Sequence, residues 1–485
     1  MRISSIGPYA SLLDRLARTD TQIQNAAARL ATGKRILQAS DDPAGSVLSA
    51  TLRAKIQSLS QVMENLSVGQ SRTAVADTAL AKISDYLIQI REAVVGALNT
   101  SSSDTLDSYQ DTVDEAVSAI NRLARTTSFG SEKLLNGSVS IQTASTVGTA
   151  LQEVRIFRAA FYGASALTVS LRITGAASRA ALFTGSSFQS AAAGTVVRIT
   201  GPEGTEEITL GSSFTTTAFE SAVNAVTDDT GVFASGGALF SVDYGSDQSI
   251  SLSVVSGSVK FGSQTLTSSS SSVQDSGADI TGYIQGQPFS GQGLRASFSA
   301  NGLAGEIRFR EGTTPGTTAF KIRPTGLSFT ASLDGSREIV GFPPVDAPYL
   351  GQPTQEIPTN GGSTKTIFGW LNTIVSGGDN DLSTDPENAL RIVDAASDWI
   401  SRIRGWLGSY QSFMLEGQLS AAQSIWAELS EAHSRIADVD YAQEVAHWTR
   451  LQVLQEAGTA ALSRMNLSRE RTFQLILGGF LPQGH

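Results

Sequence analysis

Apolar residues near both ends of the chain recur at alternating steps of three and four, and between them lies a long stretch of short alternating runs rich in Ser, Thr and Gly. Toward the N-terminus Leu12, Leu16, Thr19, Ile23, Ala26 and Leu30 step 4-3-4-3-4, which predicts a helix over 11–32. Gly33 stops it, and Lys34 and Arg35 sit where a helix C-terminus favours cations. Asp42 as cap and Pro43 at the first helical position open a second helix running to Leu98. Its seam starts with Leu52, Ile56, Leu59, Met63 and Leu66, slips by one residue through Gly69 and Thr73, and resumes with Ala76, Leu80, Ile83, Leu87, Ile90 and Val94. At about 1.5 Å per residue this helix is roughly 80 Å long, a rod rather than a globule. Beyond a polar turn at 100–104, Val113, Val117, Ile120 and Ala124 mark a third helix over 106–125, which folds back as an antiparallel hairpin.

The C-terminal region repeats the pattern. Leu390, Val393, Ser397, Ile400, Ile403, Leu407, Tyr410 and Met414 predict a fourth helix over 387–434, whose seam continues through Ala421, Ile425, Leu429, Ala432 and Ile436. Asp438-Val439-Asp440 breaks and recaps it, and a fifth helix over 441–477 carries Leu451, Leu454, Gly458, Ala461 and Met465. No such stripe buries itself alone, so helices from opposite ends must pair, tapering to a two-helix coil of the first and last segments.

Between them, runs such as Val196–Thr200, Glu207–Leu210 and Ser249–Val254 read as strands, Phe219–Thr227 as one short helix, and Leu266–Ser272 as a loop. The fold class expected is mixed and mainly α: a helical-bundle, coiled-coil rod built from both termini, with a β-rich (α+β) domain inserted between them. The expected divisions are 1–42 (N-terminal coiled coil), 43–138 (N-terminal half of the rod), 139–376 (inserted outer domain), 377–438 (C-terminal half of the rod) and 439–485 (C-terminal coiled coil).

Composition narrows the function. A net charge of −10 without a clustered basic patch argues against nucleic acid as a partner. The absence of cysteine excludes disulfides and thiol chemistry. No apolar stretch approaches a membrane span, so no membrane partner is expected. The N-terminal residues have no run suited to a secretory signal, so any export proceeds without a cleaved signal peptide.

Two motifs carry a resemblance. Ala28-Arg29-Leu30-Ala31-Thr32-Gly33-Lys34-Arg35-Ile36 followed by Ser40-Asp41-Asp42-Pro43-Ala44-Gly45 resembles the amino-terminal signature of bacterial flagellins. Ser434-Arg435-Ile436-Ala437-Asp438-Val439-Asp440-Tyr441-Ala442-Gln443-Glu444-Val445, then Thr449–Gly458, is similar to their carboxy-terminal one. Lys133–Gly137 matches the place where the family's amino-terminal helix pair ends, and Phe219–Thr227 resembles a motif of its inserted domains.

The resemblance implies a structural subunit of the bacterial flagellar filament, a homopolymer used for swimming. It further implies export by the flagellar secretion channel to an extracellular location, with an export chaperone, the cap and hook-associated proteins as partners. The hook-filament junction protein is the close alternative, since it shares the Thr-Gly-Lys-Arg and Ser-Asp-Asp-Pro pattern and the Arg2-Ile3-Ser4 start. Common flagellins end near a Leu-Leu pair, whereas Gly478–His485 follow here. Of the receptor-recognition cluster Leu-Gln-Arg-x-Arg-Glu, Leu87, Arg91 and Glu92 are present, while Ile88 and Gln89 are replacements.

The residues assigned to the helix seam and intersubunit contacts are Leu12, Leu16, Ile23, Leu30, Leu80, Leu87, Ile90, Val94, Ile403, Leu407, Ile436, Leu451, Leu454 and Met465, with Asp42 and Pro43 as a helix cap. Catalytic, cofactor and metal residues are none. His433 and His447 are fourteen apart without metallopeptidase spacing, and Asp41-Asp42 is explained by capping rather than by metal binding. Trp399, Trp406, Trp426 and Trp448 fit core or subunit contacts better than a sugar platform, and Ser268–Ser272 is read as a flexible loop or a glycosylated one. With no Walker loop, nucleophile elbow or paired catalytic carboxylates, no enzyme is expected. A secreted coiled-coil adhesin remains the alternative of another class, and a filament protein with hydrolytic activity in 174–376 a third.

Overall fold

In the computed structural model the described residues are 6–143, 150–185, 188–211, 214–330, 337–358 and 364–478. Arg2, Ile3 and Ser4 and the tail beyond Gly478 lie outside them. Helices occupy both ends: α1 Ile6–Thr32, α2 Pro43–Leu98 and α3 Ser103–Thr126 before the strands, and α6 Pro386–Ser409, α7 Gly417–Ala437 and α8 Tyr441–Gly478 after them. Two short helices, α4 Thr216–Asn224 and α5 Thr227–Thr230, lie within the β-rich region. The chain divides into two compact units, one of residues 1–63 with 420–485, the other of 64–419.

In the first unit α1 packs along α8. The α1 positions turned inward are Leu12, Leu16, Thr19, Ile23, Ala26 and Leu30, five of them half-buried and Ala26 fully buried. On α8 the inward row is Glu444, Trp448, Leu451, Gln455, Gly458, Leu462 and Met465, spaced 4-3-4-3-4-3. Leu454, expected in that row, is 51% exposed, and Leu462 replaces the expected Ala461. The row from Glu444 through Trp448 and Leu451 passes next through residue 455, so a polar Gln takes the inner place and the leucine beside it turns outward.

In the second unit Leu80, Ile83, Leu87, Ile90 and Val94 of α2, Val113, Val117 and Ile120 of α3, and Ile400, Ile403 and Leu407 of α6 are buried, and the ion pairs Arg91–Asp394 and Asp77–Arg404 tie α2 to α6. Asp385 caps α6, accepting from the Asn388 amide at 3.0 Å, and Pro386 occupies the first turn. The single helix expected over 387–434 is interrupted by a π-helical segment, Tyr410–Glu416. A π turn inserts one extra residue: buried Tyr410 and Leu415 are five apart, Met414 is only half-buried, and downstream Ala422 rather than Ala421 is covered.

The β-rich region builds two lobes. The first holds a six-stranded sheet ordered Ser290–Gln292, Arg295–Ala300, Leu303–Phe309, Leu151–Ala160, Arg337–Val340 and Leu327–Thr330. It shares one core with a five-stranded sheet centred on Leu167–Gly175. The second lobe surrounds Phe188, Phe219 and Phe261, with α4 against Val232–Ser235, Phe188–Ala191 and Thr205–Leu210. The expected strands at 196–200, 207–210 and 249–254 lie in one sheet of this lobe, Leu266 and Thr267 belong to a strand rather than a loop, and turn residues follow from Ser268. Helix α6 lies against the first lobe: Trp399 is buried beside Phe157, with the Arg155 guanidinium 3.9 Å from its ring centre and Arg402 donating to Glu306 at 3.2 Å.

Candidate functional site

The first motif runs from the end of α1 to the start of α2, and the second from the end of α7 into α8, so each motif includes a chain break. These breaks meet. Gly33 ends α1 with a positive φ of 69°, donates its amide to the Arg29 carbonyl at 2.8 Å, and accepts the Val439 amide at 3.0 Å. A Cβ at Gly33 would stand 3.1 Å from the Tyr441 hydroxyl, so both conformation and space favour glycine. Lys34 bridges to Asp438, and the Arg35 amide donates to the Ala437 carbonyl at 2.8 Å.

The Arg35 side chain adds a second tie. Its Nε and Nη2 donate to the Ile436 carbonyl at 3.0 and 2.8 Å, and Nη2 also reaches Asp42 Oδ2 at 3.3 Å. A guanidinium at the carbonyl end of α7 satisfies a group that the helix leaves without a partner. Asp42 Oδ1 accepts from the Gly45 amide at 2.8 Å at the start of α2, and Asp41 Oδ2 accepts from the Leu37 and Gln38 amides, both at 3.0 Å. These amides hold both carboxyls below the usual aspartate range. Asp440 plays the corresponding part for α8, accepting from Ala442 and Gln443. His433 Nε2 lies 3.1 Å from Ser49 Oγ, a pairing of helices rather than part of a metal set.

Along the α1–α8 coil, Gln455 donates to Asp20 at 3.1 Å, and Arg29 lies 3.7 Å from Glu444. Gly458 lies against Leu16. Of the seam residues expected from the sequence, Leu12, Leu16, Ile23, Leu30 and Met465 are half-buried in this coil and Leu451 is buried. Ile436 is half-buried at the end of α7, and Pro43 is the exposed first residue of α2. Leu80, Leu87, Ile90, Val94, Ile403 and Leu407 are interior to the second unit. Leu454 lies with Val445, Val453 and Leu467 among large apolar side chains that the chain leaves exposed on α8. Arg35 and Gln455 were not singled out by periodicity, because neither is apolar; their places in the two motifs were the only trace.

Residues 3–140 match the bacterial flagellin N-terminal helical region and 390–476 the C-terminal helical region. The B-type flagellin of Pseudomonas aeruginosa is 30% identical over 92% of this chain and 94% of its own length. The chain belongs to the bacterial flagellin family. A flagellin of Salmonella rubislaw is 25% identical, covering 95% of this chain and 96% of that one. Among solved structures, FliC from Burkholderia pseudomallei aligns with 73% of this chain and 99% of its own at 14% identity and a TM-score of 0.23. As a flagellin, the chain is a structural subunit of the flagellar filament, a component of the bacterial flagellum that serves motility. The junction-protein and adhesin alternatives gain nothing from these matches. The motifs that meet at Gly33 and Val439 lie within the two matched regions of this flagellin.

Proposed function

We propose that this flagellin leaves the cell accompanied by an export chaperone and polymerises outside it beneath a cap on a base of hook-associated proteins. Polymerisation uses the helical termini. The observation that carries this reading is that Val445, Val453, Leu454 and Leu467 of α8 are 46–59% exposed, outside the row that pairs with α1. A helix apolar on two sides needs a second partner. Copies of the same chain meet that need if each adds by one non-closing operation, which yields a helical polymer. Leu454 thereby becomes an intersubunit residue, and the interior leucines and isoleucines of α2 and α6 hold the subunit itself together. No catalytic role enters.

Dissociated protein seeded with filament fragments tests this reading. Elongating filaments are expected from the wild type, and none from a folded Leu454→Asp variant. A variant that elongates at the wild-type rate would remove α8's outer face from the assembly surface.

A further inference from the structure

Strand Arg295–Ala300 runs antiparallel beside Leu303–Phe309, and their register sets Arg295 directly opposite Arg308. Like charges facing each other across a ladder repel. The neighbouring arginines are committed, Arg155 to Glu153 and Arg402 to Glu306, whereas among the described residues Arg295 and Arg308 form no ion pair. Arg308 Nη1 donates to the neutral Gln352 Oε1 at 3.0 Å, and its Nε is buried with no hydrogen-bond partner. Burial, and then the charge of Arg295, bring the Arg308 guanidinium down to about 10, against the opposing pull of Asp243 and Glu153. A buried cation so weakly compensated favours an added negative group.

Space for one is present. Both arginines line a cavity of about 110 Å³ together with Gln355 and the carboxylates of Asp243, Asp247 and Asp279, of which Asp279 is held by Ser246 and the Gly293 amide. Both also border a larger cleft of about 780 Å³. A water claims about 30 Å³ of liquid volume, so the smaller space takes either a few waters or one compact polyatomic anion.

We propose that Arg295 and Arg308 form an oxyanion site, in which a carboxylate, sulfate or phosphate group bridges the two guanidiniums and accepts from Arg308 Nε. The planar fork of donors on each arginine matches the oxygens of such groups. Asp247 and Asp279 line the smaller cavity, and the internal competitor for Arg308 is Asp243, which lines both. It is faced by Arg308, Glu203, Arg391 and Arg179, and burial raises its pKa. All of its residues lie in the second unit.

Isothermal titration of the full-length monomer with inorganic phosphate, sulfate or acetate, at ionic strength held constant with sodium chloride, tests the site. Saturable binding of at least one anion is expected. Arg295→Gln and Arg308→Gln should each weaken it about tenfold or more, the loss of charge-assisted hydrogen bonds, and Asp243→Asn should tighten it. The tetrahedral and planar probes separate phosphate-like or sulfate-like ligands from carboxylates. Should Arg308→Gln fail to fold by circular dichroism, Arg295→Gln decides alone. Absence of saturable binding by all three anions, or unchanged affinity in folded Arg295→Gln, would overturn the proposal.

Discussion

Gly458 and Leu16 stand so close that a Cβ on the glycine would meet the leucine Cδ2 at 2.7 Å. The leucine methyl can move, so Gly458→Ala is expected to be close to neutral, its tighter contact offset by about 1 kcal/mol of helix propensity. Gly458→Leu has no such offset and should cost about 1–3 kcal/mol by overpacking. Thermal melts and filament yield of the two variants, compared with wild type, check this. Equal behaviour of the two would mean that α1 and α8 are not closely apposed.

Leu87 and Leu454 carry the same side chain in opposite settings, one fully buried and one half exposed. Leu87→Asp should destabilise the monomer by about 3–5 kcal/mol, since it removes a packed side chain and buries a charge. Leu454→Asp should leave the monomer's unfolding midpoint almost unchanged while blocking polymerisation. Urea unfolding and electron microscopy of the two variants separate folding from assembly.

Arg35→Ala removes the side-chain tie to the Ile436 carbonyl and leaves the backbone pairing of Arg35 with Ala437 intact. Because the guanidinium is partly exposed, about 1 kcal/mol is expected rather than the larger value of a buried charged bond. Hydrogen exchange should quicken at Val439 and Asp438, whose amides hold the break between α7 and α8. Unaltered exchange there would count against the clamp.

Arg391 on α6 donates to Asp228 Oδ1 and Glu203 Oε2, both at 2.9 Å, and Lys365 adds a contact to Asp228 Oδ2 at 3.1 Å. The guanidinium is largely buried, so Arg391→Ala takes from Glu203 its cation and leaves Asp228 with Lys365 alone. Local destabilisation of about 1–3 kcal/mol is expected at this junction. Limited proteolysis should then cut near Glu203 and Asp228 faster, with the α2–α3 hairpin protected as before.

Acid should loosen the segment between α1 and α2. Asp41 is held down by the amides of Gln38 and Leu37, and Asp42 chiefly by that of Gly45. A depressed carboxyl stabilises the fold fully above its ordinary value of 3.8 and loses that contribution as pH falls through the lower folded value. Amide exchange at Leu37, Gln38 and Gly45 should therefore be pH-insensitive in protection factor from 7 to about 5 and rise below about 4. Protection persisting under acid would show that the turn stands without its carboxylates.

Much of the helical architecture was legible because its information is periodic. Leu12 to Leu30, Ala76 to Val94 and Val113 to Ala124 fall on the covered faces at the positions their spacing gives. The failures are single-residue slips. Leu454 and Gln455 compete for one inner position, and only the neighbouring helix decides between them. The π turn after Ser409 shifts the downstream face by one, and the irregular step in the 390–414 seam hinted at an irregularity without saying where. The strands were legible locally but not their order. Arg295 opposite Arg308 depends on a non-local pairing of short, Ser- and Gly-rich runs with little hydrophobic contrast. The ties of Arg391 to Glu203, and of Gly33 to Val439, join residues about two hundred and four hundred apart, and no local pattern specifies such partners.

Ser178 and Ala278 form an antiparallel bridge, exchanging both amides at 2.9 and 3.1 Å, and the lobe around Phe219 is strung between them. The chain thus departs from and returns to one rung of the ladder, like a cassette plugged into a socket. A foreign domain with adjacent ends fits the same rung, provided it also supplies carboxylates where Glu203 and Asp228 now hold Arg391 of α6.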